Sequence, residues 1–311
     1  MSFSSDTKNE ILSVKNEKPC CMLAEFSAIF GFAGRVKREG DQFYLQIVTE
    51  NAALARRVFR LLKALFPVTP KISAYKKKQT RHFGYVVRIE DAADVLTVLK
   101  GLGLVQHAPE EYVRFLIAPG MTDSPCCKKA FVRGAFLAGG SLIHPDKNYH
   151  LEFVTSHYGL SEAFSTLLKS LSLNPKTVVR KSNYVLYFKN SEEIADVLTI
   201  VGAVNALMAF HNVKILKEMR NNVNRLVNCE TANVDKTVSA AVRQLDSIRL
   251  LKERGILETL SPGLQEIAAL RLENEALSLK ELGELLTPPL GKSGVNHRLN
   301  KLMDIARQIE R

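Results

Sequence analysis

An internal repeat constrains the fold of this chain more than any other feature of its sequence. Three features recur about 106 positions apart: Cys20-Cys21 as Cys126-Cys127, Gly34 as Gly140, and Gln46–Thr49 as Glu152–Thr155. A later segment, Ala93–Thr97, recurs as Ala195–Thr199 about 102 positions on, and one small insertion or deletion explains the difference. Solenoid repeats have periods of about 20–50 residues, so this longer period predicts two copies of one α/β half-domain that face each other.

Each copy has the same predicted order of elements. An apolar helix with a glycine-bearing stop precedes strand patterns, an amphipathic helix, two more strand patterns and a final helix. The ranges are 23–32, 42–48, 53–66, 71–75, 84–89 and 91–100, then 130–138, 148–154, 160–171, 177–180, 184–188 and 192–201. The predicted unit is α-β-β-α-β-β-α, and the copies at about 20–105 and 126–211 form one domain, 1–211.

Small residues line the first helix of each copy. They are Ala28, Gly31, Ala33 and Gly34 in the first, and Gly134, Ala135, Ala138, Gly139 and Gly140 in the second. This motif and the repeated unit resemble the LAGLIDADG homing-endonuclease fold; two independent buried helices are the alternative. The resemblance implies two motif helices side by side on a pseudo-twofold axis, and two curved sheets that form a saddle for DNA.

The resemblance also bears on catalysis. In the nuclease family each motif helix ends in an acidic residue, and the matching positions here are Ala33 and Gly139. Metal-dependent cleavage of a phosphodiester needs carboxylates that hold divalent ions. No Cys or His group has zinc-finger spacing either. We therefore expect no catalytic residue, no metal, no cofactor and no enzymatic activity. An active metal-dependent homing endonuclease is the alternative.

Charge points to a polyanionic partner. Lys and Arg number 43 against 32 Asp and Glu, a formal net charge of +11, which favours nucleic acid or an anionic membrane surface. A basic enzyme in an RNA-rich cytoplasm is the alternative. Near the strand pairs, cations that could contact phosphates, or form a solvated face, are Lys76, Lys77, Lys78, Arg81, Arg88, Lys176, Arg180, Lys181 and Lys189.

Residues 212–235 are predicted to form an Asn- and Arg-rich linker. Arg220, Asn221, Asn224 and Arg225 carry side chains that bind phosphates and base edges. The alternative is that the asparagines cap helices and turns around the linker.

The remainder, 236–311, is predicted to be an all-helical DNA-binding domain. A helix over 278–286, the break Thr287–Gly291 and a helix over 292–306 match a helix-turn-helix. We expect DNA contacts from Lys280, Lys292, Ser293, Asn296, His297, Arg298 and Lys301. Asn296 is expected to bind adenine and Arg298 guanine. An ordinary helical hairpin with a basic face is the alternative.

Three stretches, 133–141, 219–233 and 278–302, resemble the WhiA family, and the resemblance extends over nearly the whole chain. The expected fold class is α+β: two pseudo-symmetric LAGLIDADG-like α/β repeats followed by an all-α helix-turn-helix domain. The resemblance implies a bacterial protein that binds double-stranded DNA, either a transcriptional regulator or a nucleoid-associated factor. It links that protein to cell division and chromosome segregation, and to sporulation in some relatives. A scaffold for the division machinery is the alternative, with the repeat domain binding transcription or division proteins.

The expected location is cytoplasmic and nucleoid-associated, with no membrane partner. The first residues lack the apolar core of a signal peptide. The longest apolar stretch, 194–210, contains Asp196 and is too short to span a bilayer, so it is predicted to be a buried helix and turn. Five cysteines, an odd count, favour reduced thiols.

Overall fold

The structure is a computed structural model that describes residues 2–15, 18–40, 42–76, 83–105 and 113–309. The chain divides into two compact units, Met1–Leu216 and Lys217–Arg311. The first unit contains both repeats, and the second contains helices only over its described residues.

The first unit begins with helix α1 (Phe3–Ser13), and the two repeats follow. The first repeat consists of α2 (Pro19–Ala33), β1 (Gly34–Glu39), β2 (Gln42–Thr49), α3 (Ala52–Leu65), β3 (Lys71–Lys76), β4 (Phe83–Ile89) and α4 (Ala92–Gly101). The second consists of α5 (Pro125–Gly139), β5 (Gly140–Leu142), β6 (Leu151–Thr155), α6 (Tyr158–Lys169), β7 (Lys176–Arg180), β8 (Asn183–Phe188) and α7 (Ser191–Val201). Each repeat has one antiparallel sheet, in the orders β1-β2-β4-β3 and β5-β6-β8-β7. The predicted fold class is confirmed.

Local sequence signals fix where these helices begin. Pro19 and Pro125 occupy the first positions of α2 and α5, where the fixed φ of proline suits a helix. Both motif helices therefore begin earlier than the predicted positions 23 and 130. The side chains of Asn51, Asp91 and Asn190 accept backbone N–H groups at the starts of α3, α4 and α7.

The motif helices α2 and α5 pack side by side, as the resemblance implies. A Cβ atom added at Gly134 would lie 2.3 Å from the carbonyl oxygen of Glu25 on the neighbouring helix. Only glycine permits this approach of the two backbones. The fully buried side chains of the two helices include Phe26, Phe30, Phe131 and Phe136.

A buried ion cluster connects the motif helices to α3. The fully buried carboxylate of Glu25 accepts hydrogen bonds from the Nε and the second terminal nitrogen of Arg57, at 2.5 and 2.9 Å. A terminal nitrogen of Arg133 lies 3.7 Å from the same carboxylate. Burial lowers the pKa of Arg133, while the charge of Glu25 acts in the opposite direction. These charges bind each other inside the fold and hold its elements together.

Helix α1 is an element that the sequence patterns do not predict. Its buried residues Thr7 and Ile11 attach it to the core. The carboxylate of Glu10 accepts the backbone N–H groups of Asn205 and Ala206, at 2.6 and 3.0 Å, at the start of helix α8 (Val204–Glu253). An acidic group stabilises a helix N-terminus because the first N–H groups there lack intrahelical partners.

Helix α8 is continuous over 50 residues. Residues 212–235, which were predicted to form a linker, therefore lie inside this helix. The segment contains neither proline nor glycine, and asparagine costs a helix only a fraction of the roughly 3 kcal/mol that proline costs. The helix ends near Gly255, which has φ +67°.

The second unit packs the end of α8 against three further helices. These are α9 (Pro262–Glu273), α10 (Leu279–Glu284) and α11 (Lys292–Ile309), and a short 3-10 turn, Leu257–Thr259, precedes them. Their shared core consists of Ile248, Leu251, Leu264, Ile267, Ala268, Leu282, Leu286, Val295, Leu299, Leu302 and Ala306. The expectation of an all-helical C-terminal domain is confirmed. Over the described part of the chain, every helix is too short or too polar to cross a membrane.

Candidate nucleic-acid interface

Helix α11 has one buried and one exposed side. Val295, Leu299 and Leu302 are completely buried, as their helical spacing predicts. The exposed polar residues of the helix include Lys292, Ser293, Asn296, His297, Asn300 and Lys301. We call these six residues the α11 face. At about 100° per residue, most of them lie on the side opposite to the buried stripe.

The preceding helix and turn fix the start of α11. Ser278 and Glu281 form a capping box at the start of α10, as predicted. The hydrogen bonds between Glu281 and Ser278 lower the pKa of the Glu281 carboxyl. Gly283 is buried, and an added Cβ would lie 2.1 Å from the carbonyl oxygen of Leu290. The turn therefore packs directly on α10, which is the compact geometry of a helix-turn-helix.

The lysines of this motif are available to a ligand. Lys280, Lys292 and Lys301 are exposed. The ion pairs of the described residues in this unit join Arg249 to Glu275, Arg298 to Glu266 and Arg307 to Asp304, and none involves these lysines. Unpaired lysines near the start of a recognition helix can bind phosphates.

Arg298 differs from the sequence-based expectation. Its guanidinium lies against α9, donates to the carbonyl oxygen of Gly263 at 3.2 Å, and lies 3.9 Å from Glu266. Glu266 also accepts the backbone N–H of Thr287 in the turn, at 3.3 Å. A guanine contact would therefore require Arg298 to leave Gly263 and Glu266. In this structure it holds α11 against α9, because arginine can reach an adjacent helix through its long side chain.

The predicted DNA contacts of the segment 212–235 lie together on α8. Arg220, Asn221, Asn224 and Arg225 are all exposed. They form two adjacent pairs four positions apart, which places them on one side of the helix. The other side carries the exposed apolar residues Ile215, Met219, Val223, Leu226 and Val234. This middle part of α8 is amphipathic, and its polar side presents amides and guanidinium groups, both of which bind phosphates.

Several cations of the repeat sheets are already paired. The guanidinium of Arg88 lies 3.0 Å from Glu39 and 3.5 Å from Glu90, and stacks 3.6 Å from the ring centre of Tyr44. Lys71 pairs with Glu90 at 2.5 Å. Local neutralisation weakens the attraction of this sheet for phosphates.

In the second repeat, Glu152 stands at the position that Gln46 occupies in the first, and it accepts from Ser141 at 3.2 Å. Arg180 lies 3.6 Å from Glu152. Lys76, Lys176, Lys181 and Lys189 are exposed. The predicted contacts Lys77 and Arg81, together with Lys78, lie outside the described residues.

The last residues of the two motif helices carry no carboxylate. Ala33 and Gly139 are the last residues of α2 and α5. A Cβ added at Gly139 would lie 2.6 Å from the ring of Phe32 and 2.7 Å from the carbonyl oxygen of Val154. The second of these positions therefore lacks both an acidic side chain and the space for one.

The opposite ends of the motif helices bring together groups that the sequence spacing did not reveal. The sulfur atoms of Cys20, Cys21, Cys126 and Cys127 all lie within 4.8 Å of one another. The cysteines lack zinc-finger spacing in the sequence, so the group arises from helix packing alone. Burial raises the pKa of Cys21 to about 11 and that of Cys127 to about 12. The repeat was the signal that could have predicted this, since equivalent positions on two packed helices meet near the pseudo-twofold axis.

Comparison with known proteins gives matches along nearly the whole chain. Residues 19–105 match the WhiA N-terminal LAGLIDADG-like domain, residues 128–220 the WhiA LAGLIDADG-like domain, and residues 223–306 the WhiA C-terminal HTH domain. The probable cell division protein WhiA of Alkaliphilus metalliredigens is 43% identical over 98% of both chains. That of Desulforamulus reducens is 45% identical over 99% of this chain and 96% of its own. A crystal structure of full-length WhiA from Thermotoga maritima superposes with a TM-score of 0.59 at 24% identity, covers 99% of each chain, and shares the fold.

Proposed function

Since the chain belongs to the WhiA family, we propose that it binds double-stranded DNA in support of cell division and chromosome segregation. In this proposal it acts as a transcriptional regulator or nucleoid-associated factor. The helix-turn-helix supplies duplex binding, and α11 enters the major groove. The name of its curated relatives, probable cell division protein WhiA, supports the cellular role.

The α11 face is the observation that carries this proposal. It combines an exposed asparagine near the helix start with lysines that lack acidic partners among the described residues. An asparagine amide can bind adenine through two hydrogen bonds, and lysines bind the phosphates on either side. The proposed base reader is Asn296, and the proposed phosphate contacts are Lys280, Lys292, Ser293, His297 and Lys301.

The polar side of α8 is proposed to add phosphate contacts through Arg220, Asn221, Asn224 and Arg225. These side chains are exposed and share one side of the helix. Contacts of this kind add affinity without sequence preference.

We further propose that the chain has no nuclease activity. Ala33 and Gly139 cannot ligate a metal ion, and Phe32 occupies the space beside Gly139. Hydrolysis of a phosphodiester by the two-metal route requires ligands for both ions. The repeats then serve as a binding scaffold.

Fluorescence anisotropy of the full chain with labelled duplexes, over a series of salt concentrations, tests the proposal. A preferred duplex, selected from a random pool, and a scrambled duplex separate a regulator from a nucleoid-associated factor. Lys292→Ala and Lys301→Ala should each reduce the slope of log K against log salt by about 0.9, since each removes one phosphate contact. Lys169→Ala is the matched control, because it removes an exposed lysine from α6.

Each outcome has a definite meaning. Unchanged salt slopes in both α11 variants would remove α11 from the interface. Nicking of either duplex in magnesium would contradict the absence of nuclease activity. No binding at physiological salt would favour the scaffold for the division machinery instead.

A further inference from the structure

We propose that Cys20, Cys21, Cys126 and Cys127, the thiol cluster, bind one thiophilic divalent ion, with Zn²⁺ as the expected occupant. Their four sulfur atoms lie within 4.8 Å of one another at the paired starts of α2 and α5. The proposal is independent of DNA binding and concerns the opposite ends of the motif helices from Ala33 and Gly139.

The spacing of the sulfur atoms suits a single tetrahedral ion. Zinc–sulfur bonds of about 2.3 Å place the four sulfurs of a tetrahedral site about 3.8 Å apart. Cys20 and Cys21 are already 4.0 Å apart, and the largest separation in the cluster is within 4.8 Å. An ion therefore requires the sulfurs to approach by about 1 Å or less, which side-chain rotation can supply.

The fold positions these cysteines independently of any ion. Each pair follows a proline that opens a motif helix, and the two helices are in backbone contact at Gly134. The tight packing of the helices holds the two cysteine pairs opposite each other. A site on rigid helices keeps its ligands near the bound geometry before the metal arrives.

Burial gives the cluster an inner and an outer pair. Cys21 and Cys127 are 4% and 5% exposed, whereas Cys20 and Cys126 are exposed. The inner pair anchors the site to the core, and the outer pair leaves a path for an ion from solvent. Structural zinc sites of this kind have four protein ligands and no open position.

The positive ends of the two motif helices meet at the thiol cluster. Four thiolates around Zn²⁺ carry a formal charge of −2, and both helix N-termini present their positive ends there. The side chains of Lys18 and Ser124 do not cap these helices.

A bound ion would connect the two repeats at one end of the motif helices. The ligand atoms come equally from both repeats, and all four meet only in the folded chain. Binding should therefore raise the unfolding temperature of the full chain.

Cobalt titration of the full chain tests the site. The chain is purified with reductant, stripped of metal and titrated with Co²⁺, whose tetrahedral thiolate complexes give characteristic visible bands and sulfur-to-cobalt charge-transfer bands. We expect one Co²⁺ per chain, displacement by Zn²⁺, and a higher unfolding temperature with either ion. The double variant Cys20→Ser, Cys126→Ser should lose the charge-transfer bands. Its affinity should fall by more than the roughly 10–100-fold that loss of an outer-shell group costs.

The controls separate the site from general thiol chemistry. Cys229→Ser removes an exposed cysteine from α8 and should bind cobalt like the parent chain. The double variant changes exposed side chains only, and circular dichroism checks its fold. If it misfolds, Cys126→Ser alone serves as the ligand variant.

Two results would overturn the proposal. One is equal cobalt binding by the parent and the ligand variant. The other is a reduced chain that binds no cobalt, in which case thiol counting of the oxidised chain would identify a disulfide site instead.

Discussion

Three arginines of the first unit and two lysines of helix α11 in the second differ in what surrounds them. In the first unit, Arg57 and Arg133 lie against the buried Glu25, and Arg88 lies between two glutamates and above an aromatic ring. In the second, Lys292 and Lys301 are exposed without an acidic partner among the described residues. A net charge of +11 therefore says little about where a polyanion binds. Whether a cation already has an acidic partner is a better guide to where a polyanion binds.

The largest expected effect is on the free energy of unfolding, and it tests whether the buried ion cluster around Glu25 stabilises the first unit. Glu25→Ala leaves Arg57 buried without its partner, which should lower the free energy of unfolding by about 3–5 kcal/mol. Urea denaturation followed by circular dichroism measures it, and Glu162→Ala, an exposed acidic residue of α6, is the control. A loss below about 1 kcal/mol would mean that water replaces the carboxylate, and the contrast between the units would weaken.

The next largest effect is on sequence preference and tests the α11 face. Asn296→Ala should reduce the preference for the selected duplex over the scrambled one by about 1–3 kcal/mol, because it removes a pair of hydrogen bonds to one base. Anisotropy with both duplexes measures the ratio. Gln308→Ala, about three turns further along α11 and also exposed, should leave the ratio unchanged. Equal losses on the two duplexes would make Asn296 a phosphate contact.

Arg298→Ala tests a cation of the second unit that is paired. Its hydrogen bond to Gly263 should contribute about 1 kcal/mol to the stability of the helical unit, since the side chain is one-third exposed. Binding to the two duplexes should weaken equally, if at all. Arg307→Ala, which removes the exposed pair with Asp304, is the control. A loss confined to the selected duplex would support the prediction that Arg298 reads guanine.

The smallest expected effect concerns residues outside the described part of the chain. Lys77→Ala or Arg81→Ala should flatten the salt slope by at most about 0.9 each without changing sequence preference. Lys63→Ala on α3, which is exposed, provides the comparison. A slope equal to that of the parent would exclude this segment from the interface.

Sequence reasoning succeeded where a pattern was local or repeated. The order of elements in both copies follows from hydrophobic periodicity, and the capping box at Ser278 follows from its spacing. It failed where a long-range contact decides the outcome. Helix α1 is attached through Thr7 and Ile11 and has little amphipathic pattern of its own.

Two contacts escape the sequence patterns for related reasons. The helix-turn-helix pattern placed Arg298 among the polar residues of the second helix, and the structure places Gly263 of another helix within its reach. The thiol cluster joins residues more than 100 positions apart, so no spacing rule for a metal motif detects it. Both contacts depend on how helices pack, which a single sequence does not display.

The contact between Phe32 and the backbone at Gly139 limits which substitutions the chain can accept. An acidic residue introduced at position 139 would collide with that ring and with the carbonyl of Val154, so the substitution would cost stability. A carboxylate at the end of each motif helix would need a smaller residue at 32 and acidic residues at 33 and 139 together. Substitutions arise one at a time, and the acidic step at 139 is harmful while Phe32 remains. The packing of one aromatic ring therefore confines this helix end to small side chains, whatever else in the scaffold changes.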